Sequence, residues 1–373
     1  MVQANFYVYK QIFLIFLLSN LLINFLPGPG NSDRPDNQFS LKTHYDILPY
    51  PLSRGSAVWV EGQESIYIFG GRNETDILGS IMKYTPATND LVILNTVLPN
   101  VLMGTTAIYD GEHIYIFGGR DWQTFYDTIL RFEPKTETIT IMTAHLPKPA
   151  VGSAGIWTGG YIFLFGGGAM QDKYDWILRY DPKIDNITIM NSNLTYGRTG
   201  LAATWDAQNE TAYIIGGSDG SSYSREVFKY WPKNDTLVML PGALPGGRLH
   251  IQAQYHDGAI YIFGGRGGPT LIYDQILIYN LITDKIRTLN LTLPNPCELR
   301  MHAYDGENIY IIGGFVGPDD INQFIIFSFK EEEANSTGLV CPEDNPYIPL
   351  VIIVLILVFI LIIKLARGRS KKI

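Results

Sequence analysis

Six arginines stand at two fixed offsets from a recurring glycine pair. Arg72, Arg120 and Arg266 follow the pair directly, where other copies have Gly168, Ser218 and Phe315. Arg54 and Arg248 stand sixteen residues before its first glycine. Arg198 joins them once a two-residue-longer hairpin, Asp206 to Thr211, is allowed for. The remaining copies have Leu102, Ala150 and Cys297 there. Arginine carries a permanent charge on a planar fork of donors, so a convergent set suits a carboxylate, a phosphate or an acidic sugar. The competing use is structural: arginine at a repeated position can bond carbonyls of the neighbouring unit. The patchy distribution favours a ligand. Glu298 and Asp121 are candidate carboxylates near the same positions.

Other chemistry is poorly supplied. Phosphate-loop and His-Glu-x-x-His patterns are missing from the sequence. His250 and His302 fall on predicted inner strands at non-equivalent positions and read as packing residues, without metal-ligand spacing. No cofactor and no metal site are expected.

What positions the arginines is the glycine-pair strand itself. Ile66-Tyr67-Ile68-Phe69-Gly70-Gly71 returns five times, and its second glycines, at 71, 119, 167, 217, 265 and 314, are 48 to 50 residues apart. A β-branched and aromatic run of this length is a buried strand, and a fixed period of this size marks a repeat architecture. Thirteen or fourteen residues past each pair comes an aromatic: Tyr84, Phe132, Tyr180, Tyr230, Tyr279 and Phe327. In five repeats an aliphatic follows seven residues later and a leucine seven after that. Asp-Gly turns precede several of the glycine-pair strands, as tight hairpins require. Each repeat therefore predicts four antiparallel strands, a to d, forming one propeller blade.

The sixth repeat lacks its outer strand. Leu41 to Pro49 carries the missing spacing and the Leu-Pro ending, so residues 40–47 are predicted to supply that strand and close the ring. Closure removes two exposed sheet edges. The glycine-pair strand, the aromatic about thirteen residues on and the period together resemble kelch repeats, six of them, over residues 39–329. A tryptophan usual in that family seven residues after the aromatic is Leu or Ile here. The resemblance implies an all-β, six-bladed propeller of four-stranded blades. It also implies that the end bearing the b–c and d–a loops is the binding surface. Copper oxidases with this fold need a cysteine–tyrosine cross-link and a histidine pair, which this sequence does not offer. Sialic-acid epimerases with six kelch blades use arginines and carboxylates at the channel mouth, which keeps an enzymatic alternative in view.

The flanks place the ring in a compartment. Residues 1–30 hold one cation, Lys10, then an apolar run from Ile12 to Leu26, the layout of a signal peptide or signal anchor. Residues 330–347 form a stalk. Residues 348–365 are long and apolar enough for a membrane helix, and 366–373 form a basic tail that the positive-inside rule puts in the cytosol. Sequons at Asn73, Asn186, Asn193, Asn209, Asn234, Asn290 and Asn335 all lie between those two segments. The chain has two cysteines, and Cys297 with Cys341 is expected to form a disulfide pinning the stalk to the ring. The formal net charge of −8, with five cations gathered in the last ten residues, excludes nucleic acid as a partner. The expectation is a single-pass type I membrane glycoprotein at the cell surface or in the secretory pathway. Its propeller binds a protein or glycan ligand rather than catalysing a reaction; the alternative is an extracytoplasmic sugar-acid epimerase.

Overall fold

A computed structural model describes residues 36–317 and 319–329. They form six four-stranded antiparallel sheets. Strands a to d are consecutive in five of them, from Ser56–Val60, Ser65–Phe69, Ser80–Thr85 and Asp90–Val97 in blade 1 to Gln252–His256, Ala259–Phe263, Gln275–Asn280 and Lys285–Thr292 in blade 5. Blade 6 draws three strands, Met301–Tyr304, Asn308–Ile312 and Phe324–Phe329, from the end of the ring. Its outer strand, Phe39–His44, comes from the start, with Leu41 opposite Phe327. The predicted closure is thus present.

The glycine pairs join blade to blade. All twelve pair glycines have positive φ, for example 57° at Gly70 and 100° at Gly71. The second glycine donates its N–H across the boundary: Gly71 to the Leu102 carbonyl at 2.8 Å, Gly217 to Arg248 at 2.8 Å, and Gly314 back to Leu52 at 2.7 Å. A Cβ on Gly70 would collide with that same Leu102 carbonyl. Glycine is required here by both conformation and contact.

Apolar packing crosses the same boundaries. The strand-c aromatic of each blade fits against strand b of the blade before it. Phe132 lies 5.4 Å from both Tyr67 and Phe69, Tyr180 5.4 Å from Tyr115, and Tyr230 5.8 Å from Phe163. Edge-to-face rings of this kind add to the gain from burying the side chains.

The outer rim carries a second fastening. Asp185, in the c–d turn of blade 3, accepts from Tyr180 of its own blade at 2.9 Å and from the Thr143 and Ala144 N–H groups of blade 2. Asp235 does the same with Tyr230, Asn191 and Ser192. Blade 6 has no c–d turn, and Asp36, just ahead of the closing strand, takes that place. It accepts from Asn290 N–H at 2.9 Å and pairs with Arg287 at 2.6 Å.

Among the described residues no helix is long and apolar enough to cross a membrane. The segments expected at 1–30, 330–347, 348–365 and 366–373, with Asn335 and Cys341, lie outside the described residues.

Candidate functional site

Inside the inner strands runs a channel of about 790 Å³ lined by all six blades. At one mouth a residue at or just ahead of the start of each inner strand adopts a left-handed conformation: Arg54, Gly104, Gly152, Gly200, His250 and Leu299, with φ between 55° and 71°. Their backbones pass hydrogen bonds around the ring. Arg54 N–H donates to Leu299, Gly104 to Arg54, Gly152 to Gly104, Gly200 to Gly152 and His250 to Gly200, at 2.7 to 3.1 Å. Three adjacent blades, 5, 6 and 1, thus hold non-glycine residues where this conformation costs about 1–2 kcal/mol each. Strain of that size is retained where the side chain is needed.

This geometry corrects the equivalence of Arg54 with Arg198 and Arg248. The residues whose carbonyls accept from the second glycines are Leu52, Leu102, Ala150, Arg198, Arg248 and Cys297. Blade 1 has a hairpin two residues longer than that of blade 2, built on a short turn at Glu61–Gln63, so Arg54 sits two residues further along. It belongs to the left-handed ring, and its true counterpart in blade 5 is His250.

Arg198 and Arg248 are fully buried and face away from the channel. Arg248 donates to the Gly264 carbonyl at 2.7 Å and to Gln275 at 2.6 Å, and lies 3.8 Å above the ring of Tyr273. Burial pulls its pKa down to about 10, and it stays charged at neutral pH. Arg198 donates to Gly216 and Ser224, and pairs with Glu226 at 2.6 Å. Arg300 reaches the same place in blade 6, donating to Gly313 and Gln323. These are struts that satisfy the carbonyl of the first glycine.

Four arginines remain at the mouth. Arg54, Arg120 and Arg266 line the channel, and Arg72 stands beside Arg54. Arg54 and Arg72 share Asp320, a buried carboxylate 3.7 Å from Arg54 Nη1 and 3.5 Å from Arg72 Nε. Ser53 also donates to Asp320 Oδ1, at 2.5 Å, while Oδ2 accepts no hydrogen bond. Burial, and next the charge of Arg72, draw the Arg54 pKa below its usual value; Arg120 adds to that pull. Arg120 donates to the Asp121 carbonyl and packs 4.9 Å above Phe125. Arg54 packs 4.7 Å above Phe315. Two guanidinium groups, Arg54 and Arg72, therefore share one carboxylate, and Arg120 adds a third positive charge that acts on Arg54. Such an excess of positive charge, held rigid by aromatic rings, is a place for an anionic group.

Glu298 closes the other side. It accepts from His250 Nδ1 at 2.7 Å and from Arg266 Nε at 2.6 Å while only 3% exposed. Burial alone would raise its pKa, but the hydrogen bonds from His250 and Arg266 outweigh that and hold it at about 2. Asp121, the other expected carboxylate, is tied to Tyr126 and to the N–H groups of Gln123 and Thr124 in its own loop. His250 was expected on an inner strand and instead lies in the mouth ring; His302 is on the strand, bonded to Gln252 at 2.5 Å.

Asp320 escaped sequence reasoning. Its counterparts by backbone pairing are Ile77, Phe125, Tyr223 and Ile272, with Lys173 in blade 3. A carboxylate in a mostly apolar column is a readable signal once the columns are aligned.

The remaining expected sites fall as follows. Asn186, Asn193, Asn209, Asn234 and Asn290 are exposed and Asn73 is half-buried. Cys297 is buried, within 3.4 Å of the Glu298 and Phe315 carbonyls, with no disulfide partner among the described residues, and burial pushes its thiol pKa up to about 11. Its expected partner, Cys341, is outside the described residues. Among the described residues no three His, Cys, Asp or Glu side chains are grouped to hold a metal.

The blades also have counterparts among known proteins. Residues 33–192 match the KLHDC2/KLHL20/DRC7 Kelch-repeats domain. That span takes in the closing strand and the first three blades. A Kelch domain-containing protein of Sulfurisphaera tokodaii is 28% identical over 110 residues, 29% of this chain and 15% of that relative's length. Most of that relative lies beyond the likeness.

Proposed function

We propose that this protein is a binding module whose propeller captures an acidic group of a protein or glycan ligand at the Arg54–Arg72–Arg120 mouth. One observation carries the reading: Arg54 and Arg72 share a single buried carboxylate, Asp320, at an open channel, and the charge of Arg120 bears on Arg54 from the next blade. The match to a kelch-repeats domain supports it, since kelch propellers commonly serve as protein-binding modules. The flanking segments and the exposed sequon asparagines support display of the ring on the lumenal or extracellular side, as a type I membrane glycoprotein. The epimerase reading takes second place because both carboxylates it would use are occupied, Glu298 by His250 and Arg266 and Asp121 by its own loop.

The test screens the purified full chain, in non-ionic detergent, against surface-protein and acidic-glycan arrays, with Arg54→Ala/Arg120→Ala beside it. Capture lost in the variant at unchanged melting temperature supports the reading. Capture that survives, or turnover of sialic acid followed by NMR, contradicts it.

A further inference from the structure

The opposite end of the channel has the reverse chemistry. Each inner strand carries an aromatic at its last or next-to-last residue, Trp59, Tyr109, Trp157, Trp205, Tyr255 and Tyr304, and all but Tyr255 line the cavity. These rings are only partly buried. Trp59 is braced by a parallel stack on Tyr310 at 6.4 Å, and the Tyr109 and Tyr304 hydroxyls are tied to the Gly111 and Gly306 carbonyls at 2.7 and 2.6 Å. The collar is held open rather than collapsed onto itself.

The a–b turns surround this collar. None of the six contains a lysine or arginine. Glu61, Glu64, Glu112 and Glu307 stand exposed on three adjacent blades, 6, 1 and 2, above Tyr304, Trp59 and Tyr109. Burial is the main reason the Tyr109 hydroxyl is harder to ionise, and Asp110, Glu61 and Glu112 add to it, so their field reaches the collar. Cations stand on the third strands of blades 1 to 4, at Lys83, Arg131, Arg179 and Lys229, and Arg131 is bonded to Tyr115. Lys83 donates to Gln63 at 2.7 Å, Arg179 lies 4.9 Å above Tyr161 and Lys229 4.9 Å above Trp231; none lines the cavity.

We propose that the aromatic collar of Trp59, Tyr109, Trp157, Trp205 and Tyr304, under its carboxylate rim, is a second binding site that takes an organic ammonium group. The ring faces attract the cation through their quadrupoles, and the rim draws it in and excludes anions. The channel so carries an anion-binding mouth at one end and a cation-binding mouth at the other.

Choline and its neutral isostere 3,3-dimethyl-1-butanol distinguish this from plain apolar binding. Three of the chain's six tryptophans lie in the collar, so indole emission of the full chain reports occupancy. Choline is expected to change the emission saturably, about tenfold more tightly than the isostere. The change is expected to vanish in Trp59→Ala/Trp157→Ala. Since that variant could misfold, Glu61→Gln/Glu112→Gln/Glu307→Gln, altered only on the surface, provides a second arm and should weaken choline and flatten its salt dependence. Arg54→Ala should leave choline binding unchanged, which separates this site from the arginine mouth. Equal affinity for the isostere, no saturable change with choline, or a glutamine variant that binds as the wild type does would overturn the proposal.

Discussion

His250 Nδ1 lies 2.7 Å from Glu298 Oε2, and both residues occupy positions that other blades fill differently. Glu298 stands in a column with Ser53, Met103, Val151, Thr199 and Leu249, and His250 in a column with three glycines. Blade 6 therefore places a carboxylate where five blades have none, and blade 5 accepts backbone strain to reach it.

The pair has a pH signature. The Glu298 pKa is depressed to about 2, so its contribution to stability is present above the unfolded value near 4.5 and is lost as pH falls through about 2. Glu298→Gln strands Arg266 and His250 and should cost on the order of 3 kcal/mol at pH 7. The gap between variant and wild type in denaturant melts should close between pH 5 and about pH 2. A gap that stays constant across that range would contradict the assignment.

The arginines should separate into two groups. Arg248→Ala removes a buried charge that bonds Gly264 and Gln275 and packs on Tyr273, and should destabilise the ring by about 3 kcal/mol. Arg120→Ala should change stability by less than about 1 kcal/mol, since its side chain bonds one exposed-loop carbonyl. Equal losses in urea denaturation would show that the mouth arginines are struts as well.

The rim aspartates predict acid sensitivity at the seams. Hydrogen bonds hold the pKa values of Asp36, Asp185 and Asp235 below the ordinary carboxylate value despite the opposing effect of burial. Their stabilisation is present above about pH 4 and fades on acidification. Asp185→Ala should cost about 2 kcal/mol through the lost bonds to Thr143, Ala144 and Tyr180. Hydrogen exchange should then speed up at the Thr143 and Ala144 amides; unchanged exchange there would rule out the fastening.

Glycine replacements should track the blade seams. Gly70→Ala forces a Cβ into the Leu102 carbonyl at positive φ and should cost about 3 kcal/mol or more. Gly62→Ala meets nothing and has no such conformation, so its melting temperature should match the wild type. Similar melting temperatures for the two variants would remove the glycine pairs from the account of ring closure.

Much of this was legible in the chain. The glycine-pair period, the strand-c aromatics and the displaced outer strand fixed blade number and closure, because each is a local pattern repeated six times. The site was read less well. An extra two residues in the blade 1 hairpin moved Arg54 out of its column, and that indel leaves no mark in composition or period. Asp320 meets Arg54 and Arg72 only through contacts between the last and first blades, which sequence distance conceals. The aromatic collar was missed as well: its residues stand in one column ahead of each a–b turn, but their partial exposure to a channel is a property of the closed ring.

The central claim is that the Arg54–Arg72–Arg120 mouth, rather than the buried arginines, holds the ligand. Capture of array-identified ligand by the full chain, measured side by side for Arg54→Ala/Arg120→Ala and for Glu61→Gln/Glu112→Gln/Glu307→Gln at the far mouth, tests it most directly. The account predicts that the arginine variant loses capture at wild-type melting temperature and that the glutamine variant keeps it. Retention of capture by the arginine variant would contradict it.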